Sequence, residues 1–340
     1  MSEIKLVLVT GATGFIGAHV VDELLRRGLR VRGTARSKAK AEEMLRARPQ
    51  FAAQLDFVFV GDLTTRGGFD KAAAGVDAII HTASPVFYDV KDNEEDLILP
   101  AIRGTENILN AAKKSPTVKR FVFTSSFAAI VNIARGAEPG LVYTPEHWNP
   151  IEYAQGVAGE AVVAYRVGKK YAERAVWDAV TTENAHFDAV VLCPPMVFGP
   201  VVHPVARVQD LNDSNSYLWA VASGAQPFPV ARVPLWVDVR DVAFAHAEAL
   251  LRPEAKNMRF LVAAPENFSY QRAAGIIHDT FDWAKTSVPT DGQGGSVPEW
   301  PKGDGSLATK VLGVGYRAFK DTIVDSVALF KEIQLREGQV

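Results

Sequence analysis

The stretch Lys5-Leu-Val-Leu-Val-Thr-Gly-Ala-Thr-Gly-Phe-Ile-Gly17 decides the fold. Lys5 to Thr10 is a short apolar run of the kind found in strands buried on both faces. Glycines follow at 11, 14 and 17. From Phe15 to Arg27 the apolar spacing is helical, and it stops before Gly28. Arg30 to Ala35 reads as the next strand, which completes a βαβ unit. In such a turn Gly11 permits the tight bend, Gly14 lets the backbone approach a pyrophosphate, and Gly17 allows close helix–strand packing. The helix N-terminus then faces the phosphates. A glycine triplet alone is weak evidence, but one set between a strand and a helix points to a dinucleotide.

Working outward, the alternation continues. Helices are expected over Ser37 to Arg48 and Asp96 to Lys114, with Pro100 tolerable only near the start of the second. Strands are expected at Phe57 to Val60, Ala78 to Thr82, Arg120 to Thr124 and Ala189 to Cys193. This is α/β, a doubly wound parallel sheet of the Rossmann type. Past Pro194 the pattern changes, with Pro and Gly clustered at 194–204, 224–234 and 289–305. Residues 1–196 with 234–262 are therefore expected to form the nucleotide-binding domain. Residues 197–233 with 263–340 would form a smaller, irregular C-terminal substrate-binding cap.

The bulk numbers exclude several classes. The chain of 340 residues has a formal net charge of -2, which gives no electrostatic case for nucleic acid or an anionic membrane. No apolar run reaches transmembrane length. The opening MSEIKLVLVTG lacks the features of a secretory signal, and a single cysteine, Cys193, suits a reducing compartment. A cytoplasmic protein, monomer or homodimer, is expected. The seven histidines show no metal-ligand spacing, so no metal is expected; His246, on an apolar helix, reads as a satisfied core residue.

The chemistry concentrates in Val162 to Lys170, VVAYRVGKK. Tyr165 and Lys169 are four apart on an expected helix, hence on one face. An unperturbed phenol has a pKa of about 10, and a nearby cation lowers it. The end of the second strand, Gly33-Thr34-Ala35-Arg36-Ser37, carries no acid to bind a ribose 2′-hydroxyl. Arg36 can instead pair a 2′-phosphate, with Lys40 beside it.

Taken in order, TGATGFIG (10–17), GDL (61–63), HTASP (81–85), FTSS (123–126), YRVGK (165–169), CPPMVFGP (193–200) and VDVRDVA (237–243) resemble the extended short-chain dehydrogenase/reductase superfamily. TARS (34–37), HTASP and PEHWNP (145–150) are similar to the fungal NADPH-dependent aldehyde/ketone reductases, the methylglyoxal reductases among them. Plant dihydroflavonol reductases resemble the chain more distantly. The resemblance implies reduction of a small aldehyde or ketone with NADPH, and Ser126, Tyr165 and Lys169 as the catalytic residues. Ser126 would bond the carbonyl oxygen and Tyr165 would protonate it. Lys169 would lower the Tyr165 pKa and bond the nicotinamide ribose. Ser125 is the rival for the serine's place.

The implied cofactor contacts are Gly11, Thr13, Gly14, Phe15, Ile16 and Gly17, then Arg36, Lys40, Asp62 and Leu63. Thr82, Ala83, Ser84, Thr124, Tyr165, Lys169, Pro194 and Val197 complete the set. Substrate-binding candidates are Phe87, Ser126, Phe127, Tyr165, Met196, Trp219 and Trp236. Rival readings are a dihydroflavonol- or cinnamoyl-CoA-reductase-like enzyme, a steroid-type dehydrogenase of the same fold, a nucleotide-sugar epimerase, and a non-catalytic NADP-binding sensor.

Overall fold

The glycine turn sets the first crossover. Gly11 has φ +67°, a left-handed value that a side chain rarely tolerates. A Cβ at Gly17 would lie 2.1 Å from the Gly11 carbonyl oxygen, so only glycine lets the helix start this close to the strand. The structure is a computed structural model, and it describes residues 4–84, 90–289 and 300–338.

In chain order the elements run β1 (Leu6–Thr10), α1 (Phe15–Arg26), β2 (Arg30–Ala35), α2 (Lys38–Arg46), β3 (Leu55–Phe59), α3 (Asp70–Ala73) and β4 (Ala78–His81). Then come α4 (Leu99–Lys114), β5 (Arg120–Thr124), β6 (Val142–Tyr143), α5 (Tyr153–Ala158), α6 (Ala161–Thr181), β7 (Asp188–Cys193) and β8 (Met196–Phe198). The rest is α7 (Asp213–Ala222), β9 (Trp236–Asp238), α8 (Val239–Leu251), β10 (Arg259–Leu261), α9 (Tyr270–Thr280), β11 (Lys302–Gly303), α10 (Ser306–Leu312) and α11 (Phe319–Glu337).

Seven strands form one parallel sheet in the order β10-β7-β5-β4-β1-β2-β3. The winding reverses between β1 and β4, and open α/β sheets bind ligands at the C-terminal edge of such a switch point. Every residue of β4 and β5 is buried, as a strand covered on both faces requires. The expected strands and helices of this part are present with shifts of a few residues. The helix expected from Asp96 is the exception. A π-type turn over Glu94–Ile98 runs into α4, whose second residue is Pro100. Proline has no N–H to close a regular turn on Asp96, so the backbone widens there.

The helices α7, α9 and α11 pack on one another, whereas α8 packs on α1. One apolar cluster runs from Val7 and Val20 through Trp236 to Phe330, so the two expected parts share a core. The segment α10, expected with the cap, packs instead on α8 and β10 at the edge of the sheet. Among the described residues no helix is long and apolar enough to cross a membrane.

Candidate active site

The 21-residue α6 carries Tyr165 and Lys169 one turn apart, facing the end of β5. Lys169 is buried, and its Nζ donates to the Thr124 carbonyl at 3.1 Å and sits 5.8 Å from the Phe123 ring centroid. Burial pushes its pKa down to about 8. Burial raises the pKa of the Tyr165 phenol, a hydrogen bond with Ser126 lowers it, and the charge of Asp213 raises it again. The lowering influence on the phenol is thus the Ser126 hydroxyl. The Lys169 ammonium, expected in that role, is held by Thr124.

The two serines after β5 diverge. Ser126 caps the short turn Phe127–Ala129, its Oγ accepting from Ala128 N at 3.1 Å, and also meets Tyr165. Ser125 is buried and its Oγ donates to Glu173 Oε2 at 2.6 Å. Glu173 has no solvent exposure, and its carboxylate also accepts from Arg259 Nε at 2.6 Å, Arg259 Nη2 at 3.1 Å and Trp177 Nε1 at 3.1 Å. Arg259 in turn donates to the carbonyls of Pro145 and His147 and lies 4.0 Å from the Trp148 ring centroid. This anchors the PEHWNP loop beneath the serines. Cys193 Sγ is 3.7 Å from Glu173 Oε2, and burial pushes the thiol pKa up to about 12.

A cleft of about 1860 Å³ follows the C-terminal edge of the sheet. It is lined by Gly11, Thr13, Gly14, Phe15, Ile16 and Gly17, by Arg36, Lys40, Leu63, Thr82, Ala83, Ser84 and Thr124, and by Ser126, Tyr165, Lys169, Pro194 and Val197. Of the substrate candidates, Met196 and Phe127 also line it, though Phe127 is buried with its ring edge-on to Tyr143. A dinucleotide fits this lining. A Cβ added at Gly14 would come near no atom but the Gly11 oxygen, at 3.3 Å, so the bare backbone there opens onto the cleft. Arg36 and Lys40 are exposed at the start of α2, beyond β2, which lies three strands from β5.

Three expected contacts lie elsewhere. Asp62 is outside the cleft lining; its carboxylate accepts from Thr64 N and Oγ1, each at 2.8 Å, and closes a local turn. Trp236 has no exposure and packs on Phe319 with centroids 4.9 Å apart, inside the core. Trp219 packs on that core beside Phe330. Phe87 lies outside the described residues.

The cleft also holds residues that the sequence reading passed over: His203 and Val205, Asp213 and Tyr217 of α7, Arg232, and Tyr270 of α9. The signal for Asp213 and Tyr217 was their four-residue spacing in a helix, which puts them on one face. His81 is buried; its Nδ1 is 2.7 Å from Thr10 Oγ1, and burial drops its pKa to about 3. His246 Nδ1 donates to the Val242 carbonyl and Nε2 accepts from Thr124 Oγ1, so it is satisfied in the core. Among the described residues no three metal-ligating groups gather.

A family profile described as the NAD dependent epimerase/dehydratase family matches residues 7–263. The chain belongs to that family. Its extended short-chain dehydrogenase/reductase relatives include the ketoreductase azaE of Aspergillus niger, 35% identical over 96% of this chain and 98% of the relative. The NADPH-dependent methylglyoxal reductase GRE2 of Saccharomyces cerevisiae is 32% identical over 98% of this chain and 99% of its own. Among solved structures, yeast methylglyoxal/isovaleraldehyde reductase Gre2 complexed with NADPH superposes with a TM-score of 0.88 at 30% identity, covering 97% of this chain and 99% of that one.

Proposed function

We propose that this protein reduces a small aldehyde or ketone to an alcohol as an NADPH-dependent carbonyl reductase, with Tyr165 as general acid. The observation that carries the reading is one cleft with two ends. Ser126 and Tyr165 meet at one end, and Arg36 and Lys40 stand at the other, where an NAD enzyme would present an acid. The methylglyoxal reductase and ketoreductase relatives support it.

NADPH, when bound, supplies the hydride. The loop Gly11–Gly17 and the N-terminus of α1 line the cleft and would hold the phosphates through backbone N–H groups. Arg36 and Lys40 would pair the 2′-phosphate, and Lys169 would bond the ribose. Ser126 donates to the carbonyl oxygen of the substrate, where charge develops. Tyr165 gives that oxygen its proton, and its raised pKa keeps the proton on the phenol until it is needed.

The test is a panel of aldehydes, diketones and aryl ketones with NADPH and, in parallel, NADH, followed by loss of the reduced-nicotinamide absorbance. Carbonyl-dependent oxidation of NADPH in preference to NADH is expected. Tight NADPH binding without turnover of any carbonyl would leave a binding protein and sink the proposal.

A further inference from the structure

Beyond Tyr165 and Lys169, the same face of α6 carries a third polar residue, Glu173, again one turn on. Residues four apart stack along one helix face. Opposite that face the chain leaves β5 through Thr124, Ser125 and Ser126. Each of these consecutive residues is met by one residue of the helix. Lys169 Nζ donates to the Thr124 carbonyl at 3.1 Å, and Glu173 Oε2 accepts from Ser125 Oγ at 2.6 Å. Tyr165 meets Ser126, whose short turn Phe127–Ala129 packs on α6.

The two serines use their hydroxyls differently. Ser125 gives its proton to a carboxylate that cannot turn away. Arg259 holds both oxygens, Nε on Oε1 at 2.6 Å and Nη2 on Oε2 at 3.1 Å, and Trp177 Nε1 bonds Oε1 at 3.1 Å. Arg259 is itself fixed by the carbonyls of Pro145 and His147. Although Ser125 borders the cleft, its proton is therefore committed to Glu173. Ser126 Oγ accepts from Ala128 N, which leaves its own proton to be donated.

The backbone on either side of Ser126 is also pinned. Ser125 N donates to the Leu192 carbonyl at 2.8 Å and Phe127 N to the Pro194 carbonyl at 2.9 Å. From the PEHWNP loop, Asn149 N donates to the Ala129 carbonyl at 2.9 Å and Asn149 Nδ2 to the Ala128 carbonyl at 3.1 Å. The Ser125–Glu173 bond ties this segment, side chain to side chain, to the helix that carries Tyr165.

We infer that Ser125 is a positioning residue: through Glu173 and Arg259 it fixes the spacing between Ser126 and Tyr165, so that both reach one carbonyl oxygen. The inference rests on the reductase reading. Two donors must converge on that oxygen at hydrogen-bond distance, and a misplacement of about 1 Å can cost roughly 10²-fold.

The experiment measures kcat, the KM of a ketone and NADPH affinity by fluorescence on the whole protein. It compares the parent, Ser125→Ala, the pair Glu173→Leu with Arg259→Met, and all three replacements together. Ser125→Ala is expected to lower kcat about 10- to 100-fold with NADPH affinity unchanged. The pair should lose as much, even where denaturant unfolding shows its stability recovered. Adding Ser125→Ala to the pair should lower kcat no further, because the hydroxyl then has no carboxylate to act through. Losses that multiply in the triple replacement would show Ser125 acting on the substrate by itself. Parent kcat in Ser125→Ala or in the pair would show that the bond positions nothing. Either result overturns the inference and leaves the reductase reading intact, as does a parallel loss of kcat and NADPH affinity in Ser125→Ala. That variant keeps the Glu173–Arg259 pair, so it decides the matter even if the paired replacement does not fold. An NADPH-bound parent that turns over no ketone overturns the reductase reading, and the inference with it.

Discussion

Removing the Tyr165 hydroxyl separates chemistry from binding. Tyr165→Phe keeps the ring's packing, and general acid catalysis contributes typically 10²–10⁴-fold, so kcat should fall by about that factor. NADPH affinity should hold, because the expected phosphate contacts lie at Gly11–Gly17 and Arg36. Lys169→Ala should damage both, since Lys169 bonds the Thr124 carbonyl, lines the cleft and is proposed to bond the ribose. A Tyr165→Phe protein that binds NADPH and reduces ketones at the parent rate would refute the assignment. At the other end of the cleft, Arg36→Ala removes charge-assisted hydrogen bonds, and NADPH affinity should drop about 10- to 100-fold with little change for NADH. Equal losses for both cofactors would show that Arg36 does not read the 2′-phosphate. Lys169 also gives a pH signature. Its folded pKa of about 8 is below the ordinary 10.5. Between those values the unfolded chain holds a proton that the folded chain has released, so Lys169 contributes stability that grows as pH rises through the window and is lost as pH falls through about 8. The unfolding free energy of the parent relative to Lys169→Met should rise with pH by roughly 1 kcal/mol per unit there. A flat difference would mean that the ammonium is not desolvated.

At the scale of elements, α6 does two jobs. Its first three turns present Tyr165 and Lys169 to the cleft, and its next turn plants Glu173 beneath the serines. Breaking one partner of a buried ion pair costs about 3–5 kcal/mol, so Glu173→Ala should lose that much in denaturant unfolding. Pairing Glu173→Leu with Arg259→Met should recover most of it. A Glu173→Ala protein within 1 kcal/mol of the parent, on the order of a surface pair, would show the carboxylate to be dispensable. The sequence made the βαβ start legible because a buried parallel strand reads as an apolar run and the glycine turn has few physical alternatives. The Tyr165–Lys169 pair was legible for the same reason, as helical spacing fixes a shared face. Glu173 was not, because a glutamate in a helix ordinarily faces water, and its arginine lies 86 residues on. Trp219 and Trp236 were misplaced because an aromatic side chain suits a core as well as a pocket. Asp213 and Tyr217 form the face of α7 that Trp219 does not share.

At the scale of the whole molecule, the cap and the sheet share one apolar cluster, and the only thiol, Cys193, lies in a second one with Phe121, Phe123 and Val191. Cys193 ends β7, which lies between the edge strand β10 and β5, fully enclosed, with a thiol that burial keeps protonated. It therefore serves as a clock. A thiol reagent added to the native protein can mark Cys193 only during the moments when the sheet around it comes apart. Where reclosing is fast, the marking rate reports the open population, and NADPH at about 100 times its Kd should slow marking roughly 100-fold. A rate indifferent to NADPH would mean that β7 opens locally while the cleft stays shut. The chain thus carries its own stability gauge, readable in a crude mixture, without a label being engineered into it.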